Sequence, residues 1–377
     1  MKSLLRNIKL EGDRTIWVVV FFLCLFSVLI VYSTAGISEI FKHLVRLALG
    51  LGFMYFVHQL KFKYFSRIGV LGFYVSIILL ICVLFFGVTI NDASRWIDIA
   101  GQRFQPSDIA KLAIILFAAR QISKQRYFLD EFKGVIWYVV SPIVIICGLI
   151  LPADLSTAAL VFVNGLVLMF IAKINLRYIF GIVGIAIFGA LMLYGTAKYV
   201  PVMNEIIPRS TTWVSRIDGF FTPSENHTLN EGYQSNQGKI AIHKGGLFGV
   251  GPGKSVQRHF VYASYTDFIF AIMIEEYGLV FGAFIPIFLY MILFYRAVKI
   301  TNKTKSHFGG LIASGLAFSL VFQAMINMAV AVGIFPVTGQ TLPLISMGGT
   351  SILFTCITIG IILSVSRDST DRNYATA

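Results

Sequence analysis

Ionisable side chains set in apolar runs are the first places to look for chemistry, because a charge away from water is costly unless it is paired or used. Asp267 opens such a run in Tyr265-Thr266-Asp267-Phe268, with Glu275 and Glu276 about 12 Å further along at helical rise. A carboxylate in that position can accept a proton in a transition state or cap the start of a helix. Lys42 and Arg46 stand four apart, so on a helix both cations share a face and either meet one cavity or snorkel to an interface. Asp108 and Lys111 stand three apart, which suits a helix-start ion pair or a cation presented to substrate. Gln323 and Asn327 are spaced for hydrogen bonds between helices. Gly253-Lys254-Ser255 ends like a phosphate loop, but Phe248 occupies the position where the motif needs glycine. A backbone turn or an anion nest is left for that run.

The elements that must position these groups are membrane helices. Hydrophobic residues make up 57% of the 377 and charged residues 13%, against roughly 25% charged in an ordinary soluble domain. Mean hydropathy is +0.79. Uncharged runs at 15–35 and 68–90 exceed the roughly 20 residues that cross a bilayer, and the first is too long for a cleavable signal. Periodicity and breakers predict an all-α polytopic protein with about ten spans: 15–35, 40–60, 68–90, 107–123, 135–152, 154–173, 177–198, 267–296, 309–332 and 350–366. The formal charge of +13 sits in segments 2–14, 61–67, 120–133, 173–177, 296–305 and 367–372. These alternate between spans, which is the positive-inside pattern: it places both termini in the cytoplasm and argues against a nucleic-acid partner. Cys24, Cys82, Cys147 and Cys356 all lie in apolar runs, and the six histidines show no ligand spacing, so no structural metal is expected.

The chain reads as one membrane domain over 1–377, with a long extracytoplasmic loop, 200–266, between the seventh and eighth spans. A connection of that length is more often functional than idle. Two shorter outer segments are also irregular: 91–107, with Arg95, Trp96, Asp98, Arg103 and Gln105, and 333–349, with Pro336, Gly339, Pro343, Gly348 and Gly349. Such composition marks broken or re-entrant backbone, which needs protein or water around it. The three segments are expected to meet on the outer face.

These stretches, in combination and order, resemble the SEDS proteins, the family of FtsW, RodA and SpoVE. The resemblance runs through Arg95-Trp96-Ile97-Asp98, Phe104-Gln105-Pro106-Ser107-Asp108-Ile109-Ala110-Lys111, Ala153-Asp154-Leu155-Ser156-Thr157 and Gly232-Tyr233-Gln234. It continues through the glycine-rich run from Gly245 to Gly253, Thr266-Asp267-Phe268-Ile269-Phe270 with Glu275-Glu276, and Pro336-Val337-Thr338-Gly339 to Gly348-Gly349-Thr350-Ser351. The wording from Gln340 to Met347 looks closer to the division branch, FtsW. Departures are Asp108 where the family usually has Glu, Ser156 where it has Gly, and Tyr262-Ala263-Ser264-Tyr265 where it has a Pro-Glu-x-His stretch. Without that Glu and His, Asp267 stands more alone.

The resemblance implies a peptidoglycan glycosyltransferase that polymerises lipid II on the outer face of the bacterial cytoplasmic membrane, in septal wall synthesis. Asp267 aligns with the family's catalytic aspartate. Lys42, Arg95 and Lys111 are expected to stabilise the departing pyrophosphate, with Gln105, Arg216 and Arg258 as further substrate contacts. Implied partners are lipid II, the growing glycan strand, a class B penicillin-binding protein and other division membrane proteins. No nucleotide is required; whether a divalent cation, Mg or Mn, is shared between Asp267 and the pyrophosphate is left open. The rival classes are a lipid II flippase, since broken helices with charged residues also describe carriers, and a noncatalytic division scaffold.

Overall fold

Asp13 starts the first helix. Its carboxylate accepts from the amides of Thr15 at 2.9 Å and Ile16 at 3.4 Å, supplying partners that the first helical turn lacks. Helix α1 then runs Arg14–Gln59 and is broken at Gly36, whose φ of 78° lies in the left-handed region open to glycine. The break turns one helical run into two passes, Arg14–Ile37 and Glu39–Gln59. The computed structural model describes residues 10–90, 93–99, 102–200, 209–221, 231–261 and 264–374.

Helix α2 (Lys63–Phe86) leads into a three-stranded antiparallel sheet, β1 (Val88–Ile90), β2 (Ala93–Ile99) and β3 (Gln102–Phe104), in that spatial order. This corrects the expectation of broken backbone over 91–107. Trp96, Ile97 and Ile99 are aromatic or β-branched residues that favour strands, and pairing Ile97 with Phe104 and Asp98 with Arg103 satisfies the backbone without helix or water.

Helix α3 (Pro106–Lys124) follows with proline in its first turn, where a missing amide hydrogen costs nothing. Then come α4 (Phe132–Ile150), α5 (Leu155–Ile171) and α6 (Leu176–Tyr199). The segment 200–266 is not wholly irregular, as its composition suggested. It contains α7 (Ser210–Phe221) and α8 (Glu231–Gly245). Packing overrides the weak helix propensity of α8: the Phe268 ring lies 3.1 Å from where a Cβ on Gly238 would be. The departure at Tyr262 and Ala263 lies outside the described residues.

Helices α9 (Ile269–Lys303), α10 (His307–Ala331) and α11 (Thr350–Tyr374) complete the bundle. The eighth expected span begins two residues later than anticipated, because Phe268 takes the cap position and Asp267 stays in the turn before it. Partway along α9 the helix breaks at Gly278, φ 73°, and continues through a π-helical stretch, Leu279–Phe284. The glycine-rich run after α8 docks on this break. Val250 and Gly251 donate to the carbonyls of Glu275 and Glu276, and Leu279 donates back to Gly246. A Cβ on Gly249 would stand 2.2 Å from the Glu276 carbonyl oxygen, which explains the glycine there. Glu275, buried, accepts from Ser255 Oγ and from the amides of Val256 and Gln257. So the run is a backbone clamp, and Glu275 is its anchor.

Among the described residues eight segments can cross a membrane by length and composition: the two halves of α1, then α2, α4, α6, α9, α10 and α11. Helix α5 is apolar but has 17 residues, and α3 carries Asp108, Lys111, Arg120 and Lys124. The chain is an all-α polytopic membrane protein with one small sheet.

Candidate active site

Four connections converge at one end of the bundle. The strand β2, the turn between α4 and α5, the turn before α9 and the segment between α10 and α11 each supply part of the site. Asp154 takes the N-cap position of α5, its Oδ1 accepting from Thr157 N at 3.0 Å. Its other oxygen, Oδ2, lies 3.0 Å from Arg95 Nη1 on β2. Arg95 also donates through Nε to the carbonyl of Ala153 at 2.9 Å, so two contacts fix the guanidinium plane. Arg209, just ahead of α7, donates to the same carbonyl at 2.6 Å. Two arginines are thereby pinned by one turn.

Asp267 faces this cluster. A Cβ placed on Gly339 would be 3.7 Å from Asp267 Oδ2 and 4.0 Å from Arg95 Nη1, so carboxylate, guanidinium and the Gly339 backbone share one small space. The residue at the cap position of α9 is Phe268, which caps nothing; the cap alternative for Asp267 falls away. Asp267 lies deep among protein atoms but keeps a solvent-accessible edge. Burial pushes its pKa up to about 6, with Arg95 and Arg216 pulling downward and Asp154 adding a smaller upward push. A carboxylate with that value is ionised at neutral pH yet far more basic than an ordinary aspartate.

The backbone under Asp267 is clamped from one helix and a loop. Asn327 Nδ2 on α10 donates to the Asp267 carbonyl at 2.9 Å and to the Gln340 carbonyl at 2.6 Å. Ser346 Oγ donates to the Thr266 carbonyl at 2.7 Å, and Met347 N to the Tyr265 carbonyl at 2.9 Å. Gln340 Nε2 reaches Thr157 Oγ1 at 2.9 Å, closing the ring back to the turn that holds Arg95. Asn327, which by spacing suited a packing role, thus braces the site, while Gln323 holds the Thr341 carbonyl at 2.9 Å.

The structure brings Arg95 and Arg216 to Asp267 and places the other anticipated contacts elsewhere. Lys42 pairs with Glu39 at 2.7 Å with 59% of its side chain exposed. Gln105 donates to Ser107 Oγ at the start of α3. Arg258 donates to the Ser33 carbonyl at 2.6 Å, beside the break in α1, where Ser33 also donates to Glu276. Lys111 pairs with Asp108 at 2.9 Å, and Thr350 donates to the same carboxylate. This pair lines a cavity of about 40 Å³ between α3, α10 and α11, together with Ser319, Gln323, Ser351 and Thr355. Sequence reasoning missed Asp154, Arg209, Gln340 and Ser346 as members of the site. Asp154 carried a signal in Asp-Leu-Ser-Thr, an N-cap pattern at an outer helix start, whereas Arg209 carried none.

A divalent cation would find Asp267 and Asp154 as its carboxylates, but Arg95 already pairs with Asp154 and shares the space in front of Asp267. Among the described residues no three metal-ligating side chains converge. The donor set does not fit a resident metal, so the arginines carry the positive charge here.

Comparison with known proteins agrees along almost the whole chain. Residues 13–371 match the model of a family described as cell cycle protein, covering FtsW, RodA and SpoVE. Similar proteins include peptidoglycan glycosyltransferase MrdB of Escherichia coli (strain K12), 31% identical over 95% of this chain and 94% of that protein. Another is the "Probable peptidoglycan glycosyltransferase FtsW" of Coxiella burnetii, 31% identical over 87% and 86%. Among solved structures, Thermus thermophilus rod shape determining protein RodA superposes with a TM-score of 0.69 at 25% identity, covering 95% of this chain and 97% of that one. A chain from a peptidoglycan synthase complex that coordinates polymerization and crosslinking gives 0.79 at 24% identity, covering 95% and 98%.

Proposed function

The chain belongs to the FtsW/RodA/SpoVE family of cell cycle proteins, and from that membership and the setting of Asp267 we propose that it is a peptidoglycan glycosyltransferase that polymerises lipid II. The observation that carries this reading is a raised-pKa carboxylate held by its backbone and faced by two arginines. A sugar hydroxyl of the acceptor attacks the anomeric carbon of the donor. The new C–O bond forms as the bond to the polyprenyl pyrophosphate breaks, and the pyrophosphate leaves with the electron pair. Asp267 takes the hydroxyl proton, a contribution typically worth about 10² to 10⁴-fold. Arg95 and Arg216 stabilise the charge that grows on the leaving group, and their fixed positions mean little reorganisation as it develops. Lys111, beside the neighbouring cavity, is the proposed cation for a more distant part of the substrate.

In the same reading the chain crosses the bacterial cytoplasmic membrane ten times, with α3 and α5 completing the count, both termini in the cytoplasm and the Asp267 end outside. Charge placement supports this: the Arg14, Lys63, Lys124 and Lys303 ends carry the basic segments. The proposed setting is septal wall synthesis beside a class B penicillin-binding protein and other division proteins, supported by the FtsW-like wording of 340–347 and by the relatives' names. The test is glycan formation from purified lipid II by the protein alone and with its transpeptidase partner. Asp267→Ala should abolish polymer. Normal glycan chains from that variant would refute the assignment, and Asp267-independent scrambling of lipid II in liposomes would support a flippase instead.

A further inference from the structure

Helix α6 is the least embedded span: of its 24 residues only Ile182 and Ala197 are buried, and Phe180, Ile185, Phe188 and Leu191 lie open. Its last turns nevertheless carry a polar cluster. Tyr194 and Lys198, one turn apart, both reach Asp218 on α7: Tyr194 Oη donates to Oδ1 at 2.5 Å, and Lys198 Nζ stands 2.9 Å from Oδ2 and 3.1 Å from Oδ1. Lys198 also donates to Tyr194 Oη at 3.0 Å. Asp218 follows Arg216 by two positions, roughly 200° around a helix. Thus one side of α7 faces α6 through Asp218, and the other presents Arg216 to Asp267. Near the start of α7, Arg209 is fixed to the Ala153 carbonyl that also holds Arg95. The short helix is therefore tied at one end to the site and at the other to the loosest span.

We propose that Tyr194, Lys198 and Asp218 are positioning residues, a latch that ties α6 to α7 and sets the placement of Arg216 against Asp267. The proposal rests on the reading of Asp267 as the catalytic base. The latch is partly exposed, with 35% of the Lys198 side chain and 27% of Asp218 accessible, so it can open without unfolding the bundle. Opening withdraws a cation from the site, and movement of α6 is thereby transmitted to catalysis.

Charge reversal tests this. Lys198→Asp and Asp218→Lys should each lower the rate of glycan formation from lipid II by about fivefold to tenfold, mainly in kcat, and the double exchange should recover most of it. Because Arg216 helps hold the Asp267 carboxylate ionised, the acidic limb of the pH–rate profile should move to higher pH in each single variant and return in the double one. In an Arg216→Ala background neither single variant should move the limb further. A limb that stays in place in singles that unfold at the wild-type temperature overturns the proposal, as does further movement without Arg216. If charge reversal prevents folding, Tyr194→Phe with Asp218→Asn must move the limb in the same direction. Hydrogen exchange of α7 amides reads the latch without activity: it should rise in Asp218→Lys and fall back in the double exchange, and unchanged exchange overturns the latch. An inactive wild type, or an active Asp267→Ala, would instead sink the catalytic reading.

Discussion

The pH dependence of glycan formation follows from one group. Asp267 accepts a proton only when ionised, and burial places its pKa at about 6. With that value about 97% of the protein is competent at pH 7.5, half at pH 6 and about 9% at pH 5, so the rate falls roughly tenfold between pH 7.5 and pH 5. An aspartate at the ordinary 3.8 would lose only about 6% over the same range. The assay is initial polymerisation rate with saturating fluorescent lipid II in detergent, buffered at constant ionic strength. Arg95→Gln provides the second perturbation. Arg95 gives the largest downward pull on Asp267, and its removal also leaves the buried Asp154 carboxylate without the cation 3.0 Å away. Both effects favour the protonated form, so the limb should move to higher pH. A flat profile from pH 5 to pH 7, or a limb that moves down in Arg95→Gln, would refute the electrostatic argument.

Further consequences can be measured on the same protein. The folded state binds the Asp267 proton more tightly than the unfolded chain, so its stabilising contribution is full below about 3.8 and is lost as pH rises through about 6. Asp267→Asn should therefore raise thermal stability at pH 7, by about 1 to 3 kcal/mol given its partly accessible edge, and give little gain at pH 4. Asn327→Ala removes both hydrogen bonds that hold the Asp267 and Gln340 carbonyls; kcat should drop by at least tenfold with KM changed far less, at about 1 kcal/mol per lost bond. Gly278→Ala would force a Cβ to within 2.3 Å of the Leu247 carbonyl at φ 73°, and a loss of about 3 kcal/mol or more should show as sharply reduced folded yield.

Much of the fold could be read from residue order alone, because hydropathy over 20 residues and the alternation of basic segments are long-range signals that single residues do not disturb. The break at Gly36 and the helices' approximate ends were accessible in this way. The sheet at 88–104 was not: a short run of mixed apolar and polar residues fits either paired strands or broken helix, and only pairing partners decide. Helix α8 was hidden by its Gly, Asn and Ser content, which packing on α9 outweighs, and α7 finds its partner in α6, which residue order does not announce. At the site, Asp267 was conspicuous as a carboxylate at the edge of an apolar run. Its clamp was not, since Asn327, Ser346 and Arg209 act on backbone carbonyls, whose positions no side-chain pattern encodes.

The segment Gln340-Thr341 has two faces. Gln340 is tied to Asn327 and Thr157 beneath Asp267, while Thr341 is tied to Gln323 and Ser351, which border the Lys111 cavity. It is a party wall between two rooms. A small polar compound wedged into the cavity would press on Thr341 and shift the Gln340 carbonyl, which shares the Asn327 amide with the Asp267 carbonyl. Such an inhibitor would slow turnover without competing for substrate, and resistance to it would map to cavity residues distant in sequence from the aspartate it disables.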